Sequence, residues 1–348
     1  MKYNPLGNTD INVSVICLGS MTWGEQNSEK DAHQQLDYAI ANGVNFIDTA
    51  ELYAIPPKAE SYGLTEQYIG SWLKKSAKRQ EIILASKVAG PADGWLPHIR
   101  HEPTRRLDKK NIEQALDDSL KRLQTDYLDL YQLHWPDRKT NFFGQPGYQH
   151  DAQDQSVPIE ETLGVLGNLV TAGKIRSIGL SNETPWGVMK FLQVSQQLGL
   201  PRVVSVQNPY SLLNRSYEVG LAEVSIREKV GLLAYSPLGF GVLSGKYLNN
   251  SKPAGARLTL YPDYSRYSSE NAVKATQLYV SLAKDNGLEP AQMALAYINE
   301  RDFITANIIG ATNMQQLRDN IASADISLSE EVLAGIEQIH QLFPNPSP

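Results

Sequence analysis

Short apolar runs rich in β-branched residues alternate along this chain with longer segments in which apolar residues recur at helical spacing. The runs predict strands at Val13–Leu18, Asn45–Thr49, Ile82–Lys87, Tyr127–His134, Ile175–Leu180, Val203–Asn208, Leu232–Ser236 and Ile304–Ile309. The longer segments predict helices at Ser28–Ala41, Leu64–Lys74, Asn111–Leu123, Glu160–Ala172, Pro185–Gln197, Tyr217–Lys229, Glu270–Asn286 and Met314–Ile321. Such alternation is typical of parallel βαβ units.

The sequence after the first predicted strand and the number of predicted strands favour one of two α/β architectures. An open, doubly wound sheet that binds a dinucleotide carries a G-x-G-x-x-G turn after its first strand, and the segment Gly19–Gly24 lacks that spacing. A closed (β/α)8 TIM barrel needs eight strands, which is the number predicted here. We therefore expect an α/β fold of this barrel type, formed by residues 1–348 as a single domain.

Four segments do not belong to a minimal barrel. Residues 1–12 contain the turn-like sequence Gly7–Asp10, which predicts an N-terminal β-hairpin. Residues 90–108 and 137–157 are rich in proline, glycine and polar residues, and each follows a predicted strand. Because loops at the carboxyl ends of barrel strands build the active site, we expect both to face a substrate. A C-terminal helix, Ser329–His340, is expected to pack across the barrel end or its outer face.

Composition and charge narrow the classes of partner. The chain has 348 residues and a formal net charge of −6, which argues against nucleic acid as the main partner. No stretch approaches the roughly 20 apolar residues that span a bilayer, and the first residues lack the pattern of a secretory signal. We expect a cytoplasmic protein with no membrane partner. The single cysteine, Cys17, lies in an apolar run, which favours a small buried side chain over a nucleophile.

Four polar side chains follow or end successive predicted strands: Asp48, Tyr53, Lys87 and His134. Taken singly, each has a structural explanation, since an aspartate can cap a helix and a lysine after an apolar run commonly reaches the surface. In a barrel, however, all four converge on one mouth. A charged lysine beside a carboxylate favours the phenolate of a nearby tyrosine, which predicts that the pKa of Tyr53 is lowered from about 10. That chemistry suits a general acid, with His134 as a neutral hydrogen-bond donor.

The sequence around these residues resembles the aldo-keto reductase family over nearly the whole chain. The motifs that carry the resemblance are Gly43–Tyr53, Ala85–Val88 and Asp126–Pro136. The resemblance implies a (β/α)8 barrel that reduces aldehyde or ketone carbonyls to alcohols with NADPH. It also implies that Tyr53 donates the proton, that Lys87 paired with Asp48 lowers its pKa, and that His134 fixes the substrate carbonyl.

The same resemblance implies that NADP(H) lies extended across the strand ends. The matching positions are Gly19, Ser20, Met21, Asp48, Ser181, Asn182, Gln207, Tyr235, Ser236, Pro237, Leu238, Gly241, Lys246, Arg257, Gly310, Thr312, Gln316, Asp319 and Asn320. Tyr235 would stack on the nicotinamide, although a core aromatic is the alternative. Lys246 and Arg257 are candidates to contact the phosphates, which favours NADP(H) over NAD(H). The lysine that many family members carry near Gly310 is missing from this chain.

Tryptophans and histidines near the predicted loops complete the candidate chemistry. Trp23, Trp95 and Trp135 are expected to form apolar walls of the substrate pocket. His98 and His101 have a spacing that can ligate a metal, but they lie in an irregular loop, so exposed loop residues are the favoured interpretation and no metal is expected.

Two other functions stay open at this stage, and either a monomer or a homo-oligomer is compatible with the sequence. A non-catalytic module could bind the cofactor as a signal, like the channel-associated β subunits that share the fold. An isomerase or lyase could use Lys87 to form a Schiff base. The complete set of four residues favours catalysis of carbonyl reduction on a small-molecule aldehyde or ketone.

Overall fold

The computed structural model describes residues 1–92, 94–100 and 105–348. Its strands are β1 (Tyr3–Pro5), β2 (Asn12–Ser14), β3 (Ile16–Gly19), β4 (Phe46–Asp48), β5 (Ile83–Val88), β6 (Leu128–Leu133), β7 (Ile175–Ser181), β8 (Val203–Pro209), β9 (Gly231–Tyr235) and β10 (Ile304–Ile309). Its α-helices are α1 (Glu29–Ala41), α2 (Leu64–Ser76), α3 (Lys109–Leu123), α4 (Ile159–Thr171), α5 (Pro185–Leu198), α6 (Leu221–Glu228), α7 (Arg257–Leu260), α8 (Glu270–Asp285), α9 (Pro290–Asn299), α10 (Met314–Ala322) and α11 (Glu330–Leu342).

Strands β3 to β10 form a closed parallel barrel, because β10 pairs with β9 on one side and with β3 on the other. The helices flank this barrel, and α11 packs against α8 on its outer face. The prediction of a (β/α)8 TIM barrel with an N-terminal hairpin and a C-terminal helix is confirmed. Since all eight strands run in the same direction, the residues that follow them meet at one rim.

The hairpin of β1 and β2 covers the opposite, amino-terminal end of the barrel. Its residues Leu6, Ile11 and Val13 are buried and pack against side chains inside the barrel. The turn lies so close to β8 that a Cβ on Gly7 (φ 61°) would come within 2.6 Å of the carbonyl oxygen of Val204. Only glycine combines that close approach with a positive φ at low cost. The hairpin therefore closes this end, and the chemistry lies at the other.

Two predicted elements are each divided in the structure. The run Val13–Leu18 is not one strand, because the chain passes at Val15 from β2 in the hairpin to β3 in the barrel. The segment Tyr217–Lys229 is not one helix either. It is a 3-10 turn followed by α6, and the two are separated by Gly220, whose φ of −148° is not helical.

Helix α9 was missing from the sequence prediction. All but two of its ten residues are buried, so it has no polar face and no amphipathic period to reveal it. Pro290 at its first turn was the available signal, because proline is favoured at the start of a helix.

The described helices include none that is both long enough and apolar enough to cross a bilayer. Cys17 is fully buried on β3, as predicted. Burial raises the pKa of its thiol well above the usual value and Asp48 adds to that rise, while Lys87 opposes it. The thiol therefore stays protonated and unreactive.

Candidate active site

The Lys87 ammonium group is the centre of a buried cluster at the carboxyl ends of β4 and β5. Its Nζ lies 2.6 Å from Asp48 Oδ2 and 2.8 Å from the carbonyl oxygen of Thr49. It also donates to the hydroxyl of Tyr53 at 3.3 Å. Lys87 is 0% exposed, so these three oxygens compensate for the water that its charge has lost.

Strand register explains how residues distant in sequence meet here. Asp48 is the last residue of β4 and pairs with Ala85 of β5, so Lys87 lies two residues further on and points to the same face. Tyr53 follows in the loop after β4, where its backbone N–H donates to Ala50 and its carbonyl accepts from Gly63. Three of the four predicted catalytic residues are thus in direct contact.

His134 completes the cluster from the end of β6. Its ring meets the ring of Tyr53 edge to face, with 5.9 Å between the centroids. Burial, together with the positive charge of Lys87, holds the pKa of His134 well below 6.5, so the imidazole is neutral, as predicted. Among the described residues, Nδ1 of this ring has no hydrogen-bond partner. The structure therefore places an uncharged imidazole beside the tyrosine.

The predicted direction of the Tyr53 pKa is wrong. Burial is the largest effect and raises the pKa of this phenol; Asp48 also raises it, and Lys87 lowers it by less than those two together. Burial lowers the pKa of Lys87, but Asp48 and Tyr53 raise it by more, so the lysine stays charged. The positive charge of Lys87 favours the phenolate, but desolvation of a side chain that is only 9% exposed outweighs it. Tyr53 is consequently a protonated phenol at neutral pH.

Two buried amides hold the other carboxylate oxygen of Asp48. Gln132 Nε2 donates to Oδ1 at 3.1 Å, and Gln207 Nε2 donates to it at 2.8 Å. Gln207 was predicted as a cofactor residue, whereas Gln132 was missed. The signal for Gln132 was its position two residues before His134, which puts both side chains on the same face of β6.

Residues predicted to hold the nicotinamide lie next to this cluster and contact one another. Asn182 Nδ2 donates to the carbonyl oxygen of His134 at 2.9 Å, and its Oδ1 accepts from the Tyr235 hydroxyl at 2.6 Å. Ser181 Oγ donates to the carbonyl oxygen of Gln207 at 2.8 Å. The structure thus brings the ends of β7, β8 and β9 together as the sequence predicted.

The first predicted cofactor residues after β3 lie beside Asp48. Gly19 pairs with Asp48 in the parallel ladder, and Ser20 Oγ donates to the Asp48 carbonyl oxygen at 2.7 Å. The carbonyl oxygen of Met21 accepts from the backbone N–H of Ile55 at 2.9 Å. These contacts join the β3 loop to the loop that carries Tyr53.

Lys246 and Arg257 form a half-buried pair of cations in the segment that follows β9. Burial lowers the pKa of both side chains, and Arg257 lowers that of Lys246 further. Neither has an acidic partner within 4.0 Å among the described residues. The Arg257 guanidinium lies over the ring of Phe240 at 5.0 Å. Two desolvated cations without a counter-charge fit an anion such as a phosphate.

The backbone around this pair has the conformation of a tight turn. Ser236, with a φ of 54°, is followed by Pro237 and Leu238 and then by a 3-10 turn. Within that turn Gly241 has a φ of 89°, and a Cβ on it would meet Lys246 Nζ at 2.8 Å. Glycine therefore leaves the lysine its space.

The last group of predicted cofactor residues surrounds the start of α10. Gln316 Oε1 accepts from the backbone N–H of Thr312 at 2.9 Å, and Asn320 Nδ2 donates to the Gly310 carbonyl oxygen at 3.1 Å. Asp319 Oδ1 accepts from a neighbouring glutamine on the same helix. These bonds fix the approach to the helix N-terminus, where backbone donors favour a phosphate.

Aromatic rings line one side of the cluster. Trp135 lies 5.1 Å from the ring of His134, and Trp95 and Phe143 each lie 5.7 Å from Trp135. Trp95 is 53% exposed, so the aromatic wall runs from His134 out to solvent. One aromatic residue from each long loop thus packs on Trp135 beside the cluster.

Two sequence expectations fall outside this wall. Trp23 is not part of it, because its ring is fully buried in the outer core and its Nε1 donates to Gln35 at 3.1 Å. His98 packs edge to face on Tyr62, and His101 lies outside the described residues. Within the part of the chain that the structure describes, no three His, Cys, Asp or Glu side chains are arranged to hold a metal.

A cavity of about 210 Å³ lies beside the cluster rather than in it. It is lined mainly by apolar side chains on the outer side of β6 and β7, among them Leu133 and Leu180, and by Phe191 of α5. None of the four clustered residues reaches it, so we do not assign the chemistry to this cavity.

The neutral state of His134 predicts how stability depends on pH. The unfolded chain binds a proton on this ring below about pH 6.5, whereas the folded chain does not, so the free energy of unfolding falls as the pH falls. Between neutral pH and about pH 5.5, protonation of this ring in the unfolded chain should remove about 1.3 kcal/mol from the free energy of unfolding. Urea unfolding of wild type and His134→Gln at both pH values measures the difference. An identical pH dependence in the two proteins would contradict a neutral buried ring.

The chain is similar to one protein family and to several individual proteins over nearly its whole length. The model of the aldo/keto reductase family matches residues 15–341. Protein tas of Escherichia coli (strain K12) is 55% identical over 348 residues, which cover 100% of both chains. The uncharacterized oxidoreductase YrpG of Bacillus subtilis (strain 168) is 34% identical over 347 residues, covering 99% of this chain and 97% of the relative. A probable voltage-gated potassium channel subunit beta of Arabidopsis thaliana is 28% identical over 357 residues, covering 99% and 98%.

Proposed function

This chain belongs to the aldo/keto reductase family, whose members are oxidoreductases that act on carbonyls with nicotinamide cofactors, and from this premise we propose that it reduces aldehydes or ketones to alcohols with NADPH. The observation that carries the proposal is the contact of a protonated Tyr53 with a charged, buried Lys87 beside a neutral His134. These groups supply an acid, a cation and a donor at one place.

Tyr53 is the proton donor in this proposal. As the carbonyl oxygen gains electron density, the Tyr53 hydroxyl gives it a proton and becomes a phenolate. The Lys87 ammonium, which lies 3.3 Å from that hydroxyl, stabilises the phenolate as it forms. Asp48 holds the ammonium in place at 2.6 Å. The cation is in position before the reaction, so no reorganisation is needed when the charge develops.

His134 orients the substrate. A neutral imidazole has one N–H, and Nδ1 is buried without a partner among the residues described, so Nε2 is the nitrogen left for the carbonyl oxygen. A protonated ring would compete with Tyr53 as the acid. Trp135, which is buried with its ring 5.1 Å from that of His134, excludes water from one side of this oxygen.

The residues at the strand ends fit a bound NADPH. When bound, this cofactor supplies the hydride for the carbonyl carbon. Asn182 and Gln207 present amides for its carboxamide, and Tyr235 offers a ring for stacking. Lys246 and Arg257 offer two uncompensated cations, which favours the extra phosphate of NADP(H) over NAD(H).

Two other functions have less support. A Schiff-base enzyme needs a neutral lysine nucleophile, but the net effect of Asp48 and Tyr53 is to raise the pKa of Lys87 and keep it charged. A binding module without catalysis has support in one relative, a probable channel β subunit at 28% identity. The clustered acid, cation and donor favour catalysis over binding alone.

The test is NADPH oxidation with a panel of small aldehydes, dicarbonyls and ketones, with NADH measured beside it. We expect turnover of at least one carbonyl class with NADPH. Tight NADPH binding without oxidation by any carbonyl in the panel would support the binding module instead.

Replacing Arg257 with methionine tests the cofactor preference. A charge-assisted hydrogen bond to phosphate contributes about 1.5–3 kcal/mol, so the Kd for NADPH should rise about 10-fold or more and the Kd for NADH much less. Lys252→Met removes an exposed positive charge from the same segment and serves as the matched control. Fluorescence titration measures both affinities. An equal loss for the two cofactors would count against a role in phosphate selection.

A further inference from the structure

The Asp48 carboxylate accepts hydrogen bonds from two side-chain amides as well as from Lys87. Oδ2 accepts from Lys87, and Oδ1 accepts from the side-chain amides of Gln132 and Gln207. Asp48 is 2% exposed, Gln132 is 0% exposed and Gln207 is 3% exposed. In so dry an environment an oxygen without donors is costly, so both amide hydrogen bonds stabilise the buried carboxylate.

The carboxylate also fixes which way each amide is turned. An ionised carboxylate only accepts hydrogen bonds, so both Gln132 and Gln207 must present N–H groups to Asp48. The carbonyl Oε1 of Gln132 then faces Gln207, from which it accepts a second N–H at 3.0 Å. Both hydrogens of the Gln207 amide are therefore engaged.

This arrangement leaves Gln207 with a single free polar atom. Its Oε1 accepts no hydrogen bond from any other described residue. Without Gln132, the Gln207 amide would keep only its contact with Asp48 and could rotate about it. Gln132 thus decides that Gln207 presents an acceptor oxygen.

We propose that Gln132 is a positioning residue that joins the Asp48–Lys87 ion pair, which supports the proton donor Tyr53, to the cofactor-facing amide of Gln207. The inference rests on the proposed function, since it assigns Gln132 a part in that reaction. Gln132 touches neither Tyr53 nor His134 through a hydrogen bond, so it acts through Asp48 and Gln207.

Gly179 on the neighbouring strand leaves space for the Gln132 side chain. Gln132 pairs with Gly179 in the parallel ladder, and a Cβ on Gly179 would come within 2.9 Å of Gln132 Cγ. Gly179 in turn pairs with Ser205, whose buried Oγ has no partner among the residues described. Ser205 therefore lies in the same layer of the barrel without belonging to the hydrogen-bonded group.

The variant Gln132→Met keeps the length of the side chain and removes its amide. Losing an N–H that faces Asp48 leaves the carboxylate more negative toward Tyr53, which raises the pKa of the phenol. Because Tyr53 must be protonated, activity is lost as the pH rises through that pKa, so the alkaline limb of kcat moves to higher pH. We expect kcat to fall about 10-fold, because the variant loses a hydrogen bond to a charged group. The Kd for NADPH should rise severalfold, because Gln207 is no longer held with its acceptor oxygen toward the cofactor.

The measurements are kcat against pH with a carbonyl that wild type reduces, NADPH titration by fluorescence, and urea unfolding as a check on folding. Ser205→Ala is the matched control and should leave kcat, its pH profile and the NADPH affinity unchanged. If Gln132→Met folds with a wild-type pH profile and a wild-type NADPH affinity, the proposal is overturned.

The variant Gln132→Glu gives a second, independent test. A protonated glutamic acid can still donate to Asp48, whereas an ionised one repels it, so the activity relative to wild type should recover as the pH is lowered. A constant ratio across pH would indicate a structural role only and would overturn the proposal. If wild type reduces no carbonyl, the proposed function fails, while the NADPH affinities of Gln132→Met and Ser205→Ala still decide whether Gln132 positions Gln207.

Discussion

Replacing Tyr53 with phenylalanine should lower kcat/KM for carbonyl reduction about 1,000-fold, within the range that a positioned general acid contributes. The change removes one oxygen and keeps the ring that packs against His134. Lys87 loses a hydrogen bond at 3.3 Å but keeps Asp48 and the Thr49 carbonyl oxygen as partners. Steady-state kinetics with NADPH and a reducible carbonyl give the result, and the NADPH affinity should change little.

Tyr62→Phe is the matched control for this experiment. Tyr62 lies in the same loop as Tyr53, is partly buried, and stays protonated because burial raises its pKa to about 12. Removing its hydroxyl should leave kcat within about twofold, since ordinary substitutions outside a site have small effects. Wild-type turnover in Tyr53→Phe would sink the assignment of the proton donor, whatever the control shows.

Replacing Lys87 with methionine should affect both catalysis and stability. It leaves Asp48 buried at 2% exposure with no cation, and breaking a buried ion pair in this way costs about 3–5 kcal/mol. It also removes the charge that lowers the pKa of Tyr53 and stabilises its phenolate, so kcat should fall about 1,000-fold or more. Urea unfolding and steady-state kinetics measure the two effects separately.

The double variant Lys87→Met with Asp48→Asn separates the two effects. Removing both charges relieves the uncompensated carboxylate, so much of the lost stability should return while the activity stays low. A double variant no more stable than Lys87→Met would mean that the cost comes from packing and not from the buried charge.

The barrel was largely predictable because its strands are buried on both faces and stand out as apolar runs. Seven of the eight barrel strands begin and end within one residue of the prediction, and Ile304–Ile309 has the predicted bounds. The exception is Val13–Leu18, because the chain passes from the hairpin to the barrel within this continuous apolar run. Helix α9 was missed for the related reason that a helix buried on all sides has no polar face.

The site was predictable where strand ends determine position, and less so where side-chain contacts do. The strand order brings Asp48, Lys87 and His134 together whatever their rotamers. The pKa of Tyr53, in contrast, depends on how deeply the loop buries the phenol, and the sequence carries no measure of that depth. Trp23 lies in the core, where the side chain of Gln35, twelve residues later in the chain, accepts a hydrogen bond from its indole.

Under the proposed function, closure of one end of the barrel by the hairpin limits how Tyr53 regains a proton between turnovers. With Leu6, Ile11 and Val13 plugging the amino-terminal end, the mouth at the strand ends is the route by which protons from bulk solvent reach Tyr53. A substrate and cofactor that fill this mouth block that route. We therefore expect the Tyr53 hydroxyl to carry its proton before the substrate binds. It should regain a proton only after the alcohol product has left.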